Sequence, residues 1–182
     1  MLPLTLVRIG RRSCLTLLAA SAVLAWGQAD PRYRGWERMM SRSTVLGIEL
    51  SVGHELQEGK ASRPYFKCVQ RIDPDAFSDI YQSVMKRVLT PDEARFAEAF
   101  WESDIGARMA ELVEWAQYHD LGLTPPHAPN LFTAAEQAAA DVYNRSAAAE
   151  KLSAELTRLH GQMEPEAEAR ARSLMAMCRD MP

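Results

Sequence analysis

The chain has 182 residues, 47% of them hydrophobic and 25% charged, with 24 acidic against 21 basic side chains and a net charge of −3. That is one domain's worth of chain, long enough to bury a single core. Net negative charge without a Lys/Arg block argues against nucleic acid or an anionic membrane surface as partner, because both are bound through basic patches.

Residues 1–29 have the three parts of a cleavable secretory signal peptide. Arg8, Arg11 and Arg12 form the positive start, and Cys14 to Trp26 is an uncharged apolar run of thirteen residues. A retained anchor is the weaker reading, since a spanning helix needs roughly 20 residues. Gly27 and Ala29 suit the −3 and −1 positions of a cut before Asp30, and a cut after Gly27 is the competitor. Cys14 precedes the apolar run, so lipidation is not expected. Arg11-Arg12 gives a partial twin-arginine look, but the general export route is favoured. The expected location is the periplasm or the exterior. Cleavage leaves 18 basic against 24 acidic side chains, a net charge near −6.

Loss of Cys14 leaves Cys68 and Cys178. Neither has a CxxC mate or a close His, so in an oxidising compartment one disulfide is favoured over two buried thiols or a reactive site.

An all-α single domain of about five to six helices is expected. Within an N-terminal helical region, 30–72, Tyr33, Trp36 and Met40 have helical spacing. Leu46, Ile48, Leu50 and Val52 alternate as in a strand, but no second period-2 run offers a ladder partner, so helix is favoured. A helical core follows over 73–120. Asp73-Pro74 reads as a cap and first helical residue, with Ile72 and Phe77 as a hydrophobic staple and Phe77, Ile80, Tyr81, Val84 and Val88 as the buried stripe. Thr90 and Glu93 make a capping box for the next helix, which buries Ala97, Phe100 and Trp101. At Ser103 the pattern caps a new segment or bends, and Gly106 points to a close crossing. The stripe resumes at Ile105, Met109, Leu112, Val113 and Ala116.

The stretch 121–132 is a Pro-rich connector, and 133–182 is expected to form a helical hairpin. Thr133 and Glu136 make a second capping box, opening one long helix with the stripe Val142, Ala149, Leu152, Leu156 and Leu159 and a stop at Gly161. The last helix follows Pro165 and buries Ala167, Ala171, Leu174 and Cys178.

Residues 89–118, LTPDEARFAEAFWESDIGARMAELVEWAQY, resemble the bacterial family called domain of unknown function 2059. The shared pattern is Thr90, Glu93, Phe100, Ser103 and Gly106, with basic Arg108 one place late. Asp104 stands where the family often has Pro, and Ala107 where it has Lys or Arg. The resemblance implies an exported, mostly helical envelope protein without established enzyme activity. It carries over no functional residue, because the motif reads as architecture.

Candidate chemistry is sparse. His54, His119, His127 and His160 are scattered, and His54-Glu55 lacks the second His of a zincin. No Gly-x-Ser-x-Gly elbow is present. Glu102 and Asp104 beside Trp101 are the most tempting acidic pair for glycosidase chemistry, yet residues two apart on a helix diverge. Trp36, Trp101 and Trp115 suit core packing more than a ligand groove. The nine Met, including Met39, Met40 and the group from Met175 to Met181, suit core filling more than a soft-metal site. No catalytic residue, cofactor or metal is expected. The expected function is non-catalytic protein binding or assistance in the envelope. The alternatives are a periplasmic immunity protein against a competitor's toxin, or a small-molecule binder or hydrolase in a groove near Trp101 and Glu102.

Overall fold

The computed structural model describes residues 34–120, 122–158 and 163–180. Residues 1–29, where a signal peptide is expected, lie outside them, as do Tyr33, Leu159, His160, Gly161 and Met181. The described residues form an all-α fold of eight helices and no strand. They are α1 (Trp36–Gln57), α2 (Arg63–Val69), α3 (Ser78–Val88), α4 (Pro91–Trp101), α5 (Asp104–Asp120), α6 (Ala134–Asn144), α7 (Ala147–Arg158) and α8 (Pro165–Arg179).

The 22-residue α1, about 33 Å long at 1.5 Å per residue, is the spine against which α2, α3, α4 and α5 pack. Its buried residues Val45, Ile48 and Val52 recur at helical spacing, so the alternating run is one face of a helix. Buried Ser41 donates to the Pro74 carbonyl (2.6 Å) and accepts from the Phe77 amide (2.9 Å). That pair satisfies the turn leading into α3, whose helical residues begin at Ser78, later than the expected Asp73 start. Asp73 instead accepts from the Asp75 amide (2.9 Å) in a local turn, and Phe77 is buried at the helix entrance.

Both capping boxes are present. The Thr90 amide donates to Glu93 (2.8 Å) and the Thr133 amide to Glu136 (2.9 Å), with reciprocal bonds to the two Thr hydroxyls. Ser103 is a true cap: its Oγ accepts from the Gly106 amide (3.1 Å) and opens α5. Gly106 lies in the crease between α4 and α5. A Cβ there would fall 2.6 Å from Trp101 Cα and closer still to the Phe100 carbonyl oxygen. This tight corner turns α5 so that Gly106, Ala107 and Ala110 are its buried residues, while Ala116 is exposed. The expected stripe is therefore rotated toward small residues, because the backbones approach closely there.

The expected long C-terminal helix is two helices. Ser146 accepts from the Ala149 amide (3.2 Å) and restarts the chain as α7. The break shifts the helical register, burying Tyr143 and leaving Val142 exposed. This restart and the short α2, which Ser62 caps, raise the helix count above the expected five to six. In the C-terminal region expected to form a hairpin, α7 packs on α4, α3 and α6, whereas α8 packs chiefly on α2. Ala167, Ala171 and Cys178 form the buried edge of α8 as expected. Cys68 and Cys178 are disulfide-bonded, with Cα atoms 5.4 Å apart, tying α2 to α8.

Candidate functional site

One face of α1 is built from small and flexible side chains. Met40, Ser43, Thr44, Gly47, Ile48 and Ser51 follow one another at helical spacing and form the floor of a cavity of about 530 Å³. Tyr81 of α3, Gln117 of α5, Leu156 of α7, and Met163, Glu164 and Met175 at α8 complete its wall. The volume lies within the range of small-molecule sites, roughly 300–1,000 Å³. Gly47 makes the floor deep, since a Cβ built on it would meet nothing within 4 Å.

The polar groups are few and specifically arranged. Thr44 donates its hydroxyl proton to the Met40 carbonyl (2.9 Å), so the 2.7 Å bond between Thr44 and Tyr81 is donated by the phenol. Burial pushes the Tyr81 phenol up, and the nearby Glu164 charge pushes in the same direction, against the Thr44 bond. Tyr81 therefore stays protonated. Gln117 donates through Nε2 to the Ser43 carbonyl (3.3 Å) and hydroxyl, while its Oε1 is buried with no hydrogen-bond partner.

Glu164 is only 7% exposed. It occupies the N-cap position of α8, yet its side chain makes no capping bond. Its carboxylate instead meets Nη2 of Arg87 at 3.5 Å from both oxygens. That same Nη2 lies closer, at 3.0 Å, to Glu155, which also holds Arg158.

The residues singled out from the sequence lie elsewhere. Trp101 is 5% exposed, donates to the Tyr143 hydroxyl (2.8 Å) and packs edge-on against Phe100 and Tyr143. Glu102 and Asp104 are both exposed. Arg34 bonds the Glu102 backbone carbonyl and the Asp104 carboxylate, each at 2.9 Å. Neither residue nor Trp101 lines the cavity, and Trp101 itself is packed into the core. Trp36 is buried edge-on against Tyr81, and Trp115 packs on His119. His54 pairs with Glu58 and His127 with Glu111. Among the described residues, no three His, Cys, Asp or Glu side chains are grouped to hold a metal.

Five of the described methionines serve two roles. Met39 and Met85 fill the core, whereas Met40, Met163 and Met175 line the cavity. Sequence reasoning missed Ser43, Thr44, Gly47, Ser51, Gln117 and Glu164 as a group. The available signal was the run of small residues at i, i+4 and i+8 in Ser43, Gly47 and Ser51, which leaves one helix face unfilled. No family model matches the chain, and no curated protein or solved structure does. No helix among the described residues is long and apolar enough to cross a membrane.

Proposed function

We propose that this is an exported, non-catalytic binding protein of the bacterial envelope, holding a predominantly apolar small molecule between α1 and α8. The observation that carries the reading is the 530 Å³ cavity, with three methionines and Ile48 beside a few fixed polar groups. Methionine suits such a wall because its unbranched thioether adapts to ligand shape. The Thr44 hydroxyl proton is committed to a backbone carbonyl and the Tyr81 proton to Thr44, which fits orientation better than nucleophilic attack. The signal-like residues 1–29 and the resemblance of 89–118 to an exported family support the envelope location.

The test is titration of the protein with Nile red, an uncharged dye that brightens in apolar surroundings. Saturable brightening that Gly47→Leu abolishes is the expected result; its absence in the wild type overturns the reading.

A second reading, docking of a protein partner, is favoured by Phe96. This ring is 45% exposed and stacks outside Tyr143, whose chain neighbour Val142 is also exposed. Envelope crosslinking of Phe96→Ala against wild type tests it, since an unchanged crosslinking pattern removes the case for this surface.

A further inference from the structure

We propose that the cavity selects an organic cation, an apolar body bearing a protonated amine, with Glu164 as its charge partner. The inference rests on the cavity-binding reading and deepens it. Glu164 is the only charged side chain among the described residues that line the cavity. A carboxylate offers about four lone-pair sites, and the two 3.5 Å contacts from Arg87 leave acceptor capacity unused. Arg87 is also a divided partner, because Glu155 holds the same Nη2 more closely and the arginine side chain is half-exposed.

Two further acceptors belong to the same wall. Gln117 Oε1 is buried and unpartnered, and the Tyr81 oxygen can still accept while its O–H donates to Thr44. A buried acceptor without a donor is destabilising, so this lining favours a ligand that brings donors. An ammonium group carries three N–H donors and no acceptor. A carboxylate ligand would meet Glu164 as a like charge, and an alcohol would supply one proton and no compensating charge. The Tyr81 ring and the methionine thioethers add polarisable surface that tolerates a cation.

Calorimetric titration with three isosteric probes tests this at neutral pH: 4-phenylbutylamine, 4-phenylbutan-1-ol and 4-phenylbutyrate. The expected result is amine binding about tenfold tighter than alcohol, equivalent to about 1.4 kcal/mol, with the acid weakest. Glu164→Gln should lower amine affinity to the level at which the same variant binds the alcohol. Gly47→Leu, and independently Ser51→Met, should abolish both by filling the floor, with circular dichroism and melting verifying the fold. Equal amine and alcohol binding in the wild type, or an amine preference surviving Glu164→Gln, overturns the cation inference and leaves the cavity reading standing. Absence of all binding, or binding indifferent to both filling variants, overturns the cavity reading itself.

Discussion

Gly47 and Gly106 both lie within helices, and their surroundings give them opposite sensitivities. A Cβ at Gly47 enters open space, whereas one at Gly106 strikes the backbone of Phe100 and Trp101. Alanine gains about 0.5–1 kcal/mol over glycine in a helix interior. Gly47→Ala should therefore raise stability by about that amount. Gly106→Ala should lower it by about 1–3 kcal/mol, the usual range for overpacking, because a backbone carbonyl cannot rotate aside as a side chain can. Urea unfolding of the two variants checks both signs; equal shifts would contradict the close approach at the α4–α5 corner. The need for a small residue at 106 was legible in the sequence. The emptiness beside 47 was not, because it depends on side chains from four other helices.

At the scale of elements, local chemistry was the most readable. A capping box requires two residues three apart, so Thr90–Glu93 and Thr133–Glu136 announce their helices unaided. The break at Ser146 was concealed by alanines on both sides, whose helix propensity reads straight through it. The cavity was hidden for a different reason: α1, α3, α5, α7 and α8 all contribute, and none carries the pattern alone.

Glu93 also joins elements. Its carboxylate accepts from the Thr90 amide within the cap and from Lys151 of α7 at 2.7 Å. The Lys151 bond first, then the Thr90 amide, hold its pKa at about 2, below the ordinary 4.5. Arg158 and then Arg87 hold Glu155 likewise at about 2. A carboxyl with a depressed folded-state pKa supplies stability above its ordinary value and loses it as the folded-state value is approached from above. The melting temperature should thus fall as pH drops from about 4.5 toward 2. Glu93→Gln preserves an acceptor for the cap and removes the titration, so its melting temperature should fall less steeply over that window. Identical slopes for variant and wild type would show that the Lys151 pair does not contribute.

At the scale of the molecule, the Cys68–Cys178 bond closes a loop with a sequence separation of 110. In the chain-entropy account, a loop of that length contributes about 4–5 kcal/mol, against a total stability of about 5–15 kcal/mol for a typical domain. Reduction should lower the urea midpoint substantially. Thiol titration of the denatured, unreduced protein should find both cysteines blocked; two free thiols would refute the bridge. Since α8 brings Glu164 and Met175 to the cavity, reduction should also weaken amine binding if the clamp holds that wall in place.

The spacing of the two cysteines has a consequence for the order of events during biogenesis. Cys68 is synthesised 110 residues before its partner, so it passes through a long interval without it. Any disulfide that Cys68 makes in that interval, whether with Cys14 or with an oxidase or small thiol, must later be exchanged for the bond to Cys178. The helix that completes the cavity is also the helix that brings Cys178, so the cavity wall and the cross-link are closed by the same element.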